Sequence, residues 1–288
     1  MAVRTASGVV MLLLFIGAVL WSQWSAVALF AVIMIGGLVE FYNLCRKRGY
    51  QPMYVLGIIA SICLFYALLL VDLCGISSIP SGVSTILAAA FLTCVAILFV
   101  IAPAMFLCEI WRKSESPIAN IATTLMGIAY ITVPMALLVY VPGLLSGQGV
   151  GEWHPWHLLA FMSIIWANDV FAYLVGIAFG KHRLCERISP KKSWEGFIGG
   201  VVGAVALAVL FGYLLNGNMI IWGITGLITS LTGVAGDLVE SMFKREAGVK
   251  DSGKIMPGHG GFLDRFDALF ISVPFVVLYL AVVRTLLV

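Results

Sequence analysis

The chain has 288 residues, of which 61% are hydrophobic and only 11% are charged, with a formal net charge of +3. Soluble domains have roughly 25% charged residues, so a mean hydropathy of +1.06 excludes a soluble globular protein, a disordered chain and a nucleic-acid-binding domain. The six cysteines form no CxxC pair, which argues against a metal cluster or a disulfide framework. We therefore interpret the sequence as an integral membrane protein that does not bind nucleic acid.

Nine apolar segments follow one another, each about as long as a membrane-spanning helix requires. The first two, near 7–22 and 24–42, are so close together that we expect a retained helical hairpin rather than a signal peptide. Segments such as 9–20 and 201–210 lack the alternation of barrel strands. The sequence thus predicts an all-α integral membrane protein of about nine transmembrane helices, the other seven near 53–73, 83–107, 118–142, 157–180, 195–215, 219–240 and 266–286.

Basic residues are distributed unevenly between the two sides of this predicted membrane domain. Sixteen of the 17 Lys and Arg residues lie at the N-terminus or in alternate connections, and only Arg284 lies on the other side. The positive-inside rule then places the N-terminus in the cytoplasm and the C-terminus outside. We expect a multi-pass protein of the cytoplasmic (inner) membrane.

No connection is long enough to form a soluble catalytic domain, so we expect one polytopic membrane domain over residues 1–288. Residues 1–150 supply N-terminal helices, and residues 151–288 supply the C-terminal helices with the catalytic motifs. Any chemistry should then occur at the cytoplasmic face, on helix ends and in two loops.

Segment 157–180 contains a carboxylate, Asp169, about eleven residues from its cytoplasmic end. An ionisable residue at such a position in a membrane helix usually marks function. Asp169, Tyr173, Gly176 and Gly180 follow helical spacing and form one polar stripe of small residues. The stripe indicates a polar cavity open to the cytoplasm, and a structural hydrogen bond between helices is the alternative.

The loop at 181–196 has five basic residues and one acidic residue before Glu195. Within it, residues 189–193 (SPKKS) predict a Pro-bounded turn that holds Lys191 and Lys192 just before the next helix. A phosphate there meets both lysines and a helix N-terminus, whereas an orientation signal that attracts anionic lipids is the alternative. The glycines at 196, 199, 200 and 203 predict close helix packing.

The densest polar stretch runs from Asp237 to Asp267. Asp237, Ser241 and Lys244 are spaced four and three residues apart, so they share one helical face. Five acids and five bases balance between Asp237 and Arg265. Carboxylates beside phosphate-binding cations suit a magnesium nucleotide, because Mg²⁺ takes one or two carboxylates plus phosphate oxygens. A solvated loop with compensating charges is the alternative.

This stretch resembles the signature of phosphatidate cytidylyltransferases, also called CDP-diacylglycerol synthases. The segment SPKKSWEG, residues 189–196, resembles a second block of that family. The only departure is Met256, where the family usually has Leu, Ile or Phe. The matching signature positions are Ser241, Phe243, Lys244, Arg245, Lys250, Asp251, Gly253, Pro257, His259, Gly260, Gly261, Phe262, Asp264, Arg265, Phe266 and Asp267.

The resemblance implies transfer of CMP from CTP to phosphatidic acid, giving CDP-diacylglycerol and pyrophosphate, by a homodimeric enzyme in the lipid membrane. It also implies Mg²⁺ or another divalent cation, with Asp237 and Asp264 as ligands. The candidate catalytic residues are Asp237, Lys250, Asp251, His259, Asp264 and Asp267. The candidate substrate-binding residues are Asp169, Lys191, Lys192, Ser241, Lys244, Arg245 and Arg265.

Two other functions stay open. A transporter accounts for nine spans and for Asp169, but not for ten of the 17 basic residues in two loops on one face. A CTP-dependent polyprenol or phytol kinase shares general features but lacks the full signature. For the transfer reaction no Ser/His/Asp activation is needed, because a lipid phosphate is already anionic near neutral pH.

Overall fold

The computed structural model describes residues 2–74, 81–147, 153–253 and 260–287. Seven helices in these ranges are long and apolar enough to cross a membrane, and two shorter apolar stretches lie at 8–21 and 54–70. This confirms a multi-pass, all-α membrane protein. The first four helices are α1 (Ala2–Trp21), α2 (Gln23–Lys47), α3 (Tyr54–Cys74) and α4 (Ser81–Arg112).

The next candidate span is interrupted twice. It consists of α5 (Pro117–Gly127), a π turn (Ile128–Thr132), α6 (Val133–Leu137), a 3₁₀ turn (Leu138–Tyr140) and α7 (Val141–Ser146). Pro134 lacks an N–H group, and the chain widens just before it, so that the Val133 N–H donates to the carbonyl of Ile128. Such π turns are frequent at functional sites.

Four helices form the C-terminal half: α8 (Pro155–Phe179), α9 (Trp194–Leu214), α10 (Met219–Glu246) and α11 (Leu263–Leu287). Pro274 lies inside α11 without ending it. Helices α8 and α9 approach closely: a Cβ atom at Gly196 would lie 2.7 Å from the Ala172 carbonyl, and one at Gly200 would lie 2.8 Å from Asn168 Oδ1. This confirms the close packing predicted from the glycines of α9.

A short antiparallel hairpin, β1 (Arg183–Cys185) and β2 (Ser189–Ser193), connects α8 to α9. The prediction of a Pro-bounded turn over residues 189–193 was wrong, because these residues form a strand. In the antiparallel register, Arg183 pairs with Ser193 and Cys185 pairs with Ser189. Between these two pairs, β2 has two more residues than β1. A bulge of this kind tolerates Pro190, and the pairing continues in the hydrogen bond from the Trp194 N–H to the His182 carbonyl.

Aromatic residues pack at the end of the bundle where α10 ends and α11 begins. The Tyr130 ring, from the π turn, lies 6.1 Å from Phe41 of α2, 5.6 Å from Phe243 of α10 and 5.5 Å from Phe270 of α11, measured between ring centroids. Phe41, Tyr130 and Phe270 belong to one buried apolar core, and the partly buried Phe243 packs against it. The core therefore fixes α2, α10 and α11 relative to one another next to their polar residues.

Candidate active site

Three carboxylates from α10 and α11 lie together. Asp237 and Glu240 are three residues apart on α10 and so share one face, and Asp267 lies in the second turn of α11. One ligand atom from each of the three lies within 4.8 Å of the others. Glu240 is buried, and the other two are partly exposed. Because like charges this close repel one another, the trio needs cations nearby.

Two lysine ammonium groups supply part of that compensation. Lys192, from β2, forms an ion pair with Asp237 Oδ2. Lys244, one turn after Glu240 on α10, forms an ion pair with Glu240 Oε2. The hairpin thus brings Lys192, from the segment 189–196, into contact with Asp237, from the stretch 237–267.

A cleft of about 510 Å³ opens beside the trio, between α8, the hairpin, α9 and α10. Its walls include Asp169 and Tyr173 of α8, Lys191 and Lys192 of β2, and Asp237 of α10. The cleft has the size of a small-molecule site, roughly 300–1,000 Å³. Asp169, Tyr173 and Gly176 of the predicted stripe therefore line one cleft together with cationic groups, and the opening of this cleft to the cytoplasm stays a prediction.

Asp264 lies outside the trio and accepts several hydrogen bonds. Its Oδ1 accepts from Lys244 Nζ at 2.8 Å. Its Oδ2 accepts from the Ser252 N–H at 3.0 Å, the Ser252 hydroxyl at 2.8 Å and the Gly261 N–H at 2.8 Å. Asp264 therefore connects the end of α10, the loop after it and the start of α11, and its role as a metal ligand stays a prediction.

Two other predicted site residues have hydrogen-bond partners close by. The Ser241 hydroxyl donates to Asp237 Oδ1 at 3.3 Å, as their shared helical face predicts. Arg245 Nε donates to the carbonyl of Ile188 at 3.4 Å, so it contacts the turn of the hairpin. Both residues stay predicted substrate-binding residues.

The remaining predicted residues belong to the loop between α10 and α11 or to the start of α11. Lys250, Asp251 and Arg265 are exposed. His259 lies outside the residues that the structure describes. Gly260, next to it, has a φ of +87°, which glycine adopts without strain and which agrees with the predicted glycine turn.

Glu240 belongs to the trio, although its sequence context does not distinguish it from the other acids of this segment. The signal that places it there is its spacing, three residues after Asp237 and four before Lys244. This is the spacing of neighbours on one helical face.

Tyr130 is a second residue that no motif marks. Its side chain is 8% exposed, and its hydroxyl has no hydrogen-bond partner among the described residues. The hydroxyl lies within electrostatic range of all three carboxylates of the trio. A buried hydroxyl without a partner beside a polar site is a group that a ligand or water can satisfy.

The trio suits a divalent cation by the chemistry of its donors, since Mg²⁺ prefers carboxylate and other oxygen ligands. Three carboxylates face the ammonium groups of Lys192 and Lys244, and Lys244 also pairs with Asp264, so carboxylates outnumber ammonium groups in this cluster. Glu240 Oε1 is buried and has no hydrogen-bond partner in the described part of the chain. These residues therefore fit a bound cation.

Comparison with known proteins agrees with this chemistry. The chain is 46% identical over 150 residues to the phosphatidate cytidylyltransferase of Haemophilus influenzae, which covers 48% of this chain and 52% of that protein. It is 42% identical over 164 residues to the phosphatidate cytidylyltransferase of Staphylococcus aureus, which covers 56% of this chain and 60% of that protein. The matches therefore span between half and three fifths of these relatives. The model of the Cytidylyltransferase family matches residues 2–283, so this chain belongs to the Cytidylyltransferase family.

Proposed function

We propose that the protein transfers CMP from CTP to phosphatidic acid and forms CDP-diacylglycerol and pyrophosphate. The observation that carries this proposal is the cleft in which Lys191 and Lys192 face Asp169 and Asp237, beside a carboxylate trio that fits a cation. Two relatives named phosphatidate cytidylyltransferase support it.

The reaction joins two anions, so charge neutralisation is the main requirement of the site. A phosphate oxygen of phosphatidic acid attacks the α-phosphorus of CTP, and the bond from that phosphorus to the bridging oxygen of pyrophosphate breaks. Lys191 and Lys192 line the cleft and are positioned to bind phosphate oxygens of either substrate. Since the attacking oxygen is already ionised near neutral pH, positioning and electrostatics suffice, as in phosphoryl transfer generally.

We propose Asp237, Glu240 and Asp267 as the residues that hold a divalent cation, with Asp264 a further candidate. When bound, Mg²⁺ neutralises phosphate charge and stabilises the leaving pyrophosphate. Lys192 orients Asp237 through their ion pair. Lys244 connects Glu240 with Asp264 and keeps the two helices at a fixed separation.

We further propose nine membrane spans, with the N-terminus in the cytoplasm, the C-terminus outside and the cleft open to the cytoplasm. The distribution of basic residues supports this orientation in the cytoplasmic membrane. Cytosolic CTP then reaches the cleft directly, and phosphatidic acid arrives from the lipid. A homodimer, which the family implies, stays a prediction.

Position-specific labelling of CTP tests the proposal. Purified protein is incubated with phosphatidic acid, Mg²⁺ and CTP labelled at either the α- or the γ-phosphate. We expect the α-label to enter the lipid and the γ-label to appear in pyrophosphate. Entry of the γ-label into a lipid would instead show a CTP-dependent kinase, and no turnover of CTP at all would favour the transporter.

A further inference from the structure

Glu40 is a buried carboxylate that belongs to no motif. It lies on α2, far from α10 and α11 in sequence, and only 3% of the residue is exposed. Its Oε2 accepts a hydrogen bond from the Leu263 N–H at 3.0 Å. It also lies 3.1 Å from the Ser252 hydroxyl oxygen, whose single proton is shared between Glu40 and Asp264. Glu40 therefore contacts both the loop after α10 and the first residue of α11.

Two glycines allow this approach. A Cβ atom at Gly253 would lie 2.2 Å from Glu40 Oε1, and one at Gly261 would lie 2.1 Å from Glu40 Oε2. Both distances are far below van der Waals contact, so a side chain at either position displaces the carboxylate. The two signature glycines thus form a cradle around Glu40.

Asp264 shares one partner with Glu40. The Ser252 hydroxyl lies 3.1 Å from Glu40 Oε2 and 2.8 Å from Asp264 Oδ2, and Asp264 also binds Lys244 of α10. A continuous set of polar contacts therefore runs from α2 through Ser252 to Asp264 and Lys244, which pairs with Glu240 of the trio.

We propose that Glu40 is a positioning residue for cytidylyl transfer: from α2 it holds Ser252 and the N-terminus of α11 in the register that brings Asp264 and Asp267 against α10. This inference rests on the proposed function. Glu40 touches neither the cleft lining nor the trio, so it acts through Ser252 and Leu263.

Electrostatics explain why a carboxylate is used for this purpose. A buried carboxylate is costly unless it is hydrogen-bonded, and the N–H groups that begin a helix favour a negative charge nearby. Glu40 meets the helix N-terminus of α11 at Leu263. An apolar residue at position 40 preserves the packing of α2 but leaves the Ser252 hydroxyl and the Leu263 N–H without this acceptor.

The test uses Glu40→Gln and Glu40→Ala in the full-length purified protein. Glu109→Gln is the matched control, because Glu109 is also buried on a membrane helix, at 6% exposure, and accepts hydrogen bonds from Arg112 and Ser114 instead. We expect Glu40→Ala to lower kcat per folded molecule about a hundredfold, the effect of a displacement of roughly 1 Å at a catalytic group. Glu40→Gln keeps one acceptor oxygen and should retain more activity, and Glu109→Gln should keep a kcat close to that of the unmodified protein.

A double-mutant cycle with Ser252→Ala provides a second test. If Glu40 acts through Ser252, the double variant Glu40→Gln/Ser252→Ala should lose less activity than the sum of the losses in the two single variants, each expressed as a change in activation free energy. Additive losses, or the same kcat in the Glu40 and Glu109 variants at matched melting temperatures, would overturn the positioning role.

Amide hydrogen exchange gives a measurement that does not depend on turnover. Exchange at the Leu263 amide, which donates to Glu40, should accelerate in Glu40→Ala and stay unchanged in Glu109→Gln. Unchanged exchange at Leu263 in Glu40→Ala contradicts the inference. An inactive unmodified protein would refute the proposed function, whereas an active protein with unaffected Glu40 variants refutes the positioning role alone.

Discussion

Removal of the Lys192 ammonium group should slow the reaction without unfolding the protein. Lys192 forms an ion pair with Asp237, lines the cleft and lies within electrostatic range of Asp169 and Asp267. Lys192→Ala therefore removes the positive charge that offsets these three carboxylates where an anionic substrate must approach. The ordinary alternative is that Lys192 only sets the orientation of the protein in the membrane.

The size of the effect follows from the charges and their exposure. Two unit charges 4 Å apart interact by about 4 kcal/mol at an effective dielectric near 20. The side chains of Lys192 and Asp237 are 26% and 35% exposed, so solvent screens part of this interaction. We expect a loss of about 1.4 to 2.7 kcal/mol in transition-state stabilisation, which corresponds to about ten- to a hundredfold in kcat/KM.

The assay compares Lys192→Ala, Lys192→Arg and Lys47→Ala in purified protein of matched folded content. Lys47 is the control, since it is an exposed basic residue at the end of α2 and outside both motifs. Lys192→Arg should recover only part of the activity, because a planar guanidinium does not replace a compact ammonium group. Equal kcat/KM values for Lys47→Ala and Lys192→Ala would refute this account of the lysine.

Three further predictions concern the cation site, the orientation and the helix packing. Asp237→Asn should raise the Mg²⁺ concentration for half-maximal activity about tenfold or more, and normal Mg²⁺ dependence in this variant would remove Asp237 from the site. The orientation is tested in a chain whose six native cysteines are replaced. An impermeant thiol reagent applied outside intact cells should label the variant Met219→Cys, because Met219 is 48% exposed and lies on the outer side in the proposed orientation. The same reagent should not label Glu186→Cys, which lies in the exposed turn of the hairpin. The reverse labelling pattern would invert the proposed orientation. Gly200→Ala should destabilise the protein by about 1–3 kcal/mol through overpacking, because its Cβ meets Asn168. Gly17→Ala, whose Cβ has nothing within 4 Å, should not destabilise the protein, since Ala favours a helix over Gly. Equal thermal stability of the two variants would contradict the packing.

Features that depend on local periodicity were predictable from the sequence. The polar stripe with Asp169 and Tyr173 lines the cleft, and the shared face of Asp237 and Ser241 forms the hydrogen bond that their spacing predicts. In both cases helical geometry alone fixes which side chains are neighbours. The family resemblance rests on many matching signature positions. The match to the family model confirms it.

Features that depend on tertiary contacts were not predictable in the same way. Glu40 and Ser252 are 212 residues apart, and no spacing rule connects them. Tyr130 reaches the aromatic core from a π turn, and its position depends on the widened backbone before Pro134. Residues 189–193 form a strand because they pair with β1. Their composition, polar residues and a proline, does not indicate this pairing.

The spacing of residues also cannot decide which of two neighbouring acids joins the trio. Asp264 and Asp267 both lie in the first two turns of α11, but Asp267 joins Asp237 and Glu240, whereas Asp264 binds Lys244. Which of the two joins the trio depends on the rotation of α11 about its axis. The contacts at the helix N-terminus, with Glu40 and Ser252 among them, set that rotation.

The most direct measurement of the central claim is the product balance of the purified protein in lipid vesicles that contain phosphatidic acid. With CTP, and with Mg²⁺ at the concentration that half-saturates the unmodified protein, the account predicts CDP-diacylglycerol and pyrophosphate in equal amounts. It also predicts the loss of most of both products in Asp237→Asn at the same protein content. Pyrophosphate without CDP-diacylglycerol, a phosphorylated lipid with CDP, or full product formation by Asp237→Asn would contradict it.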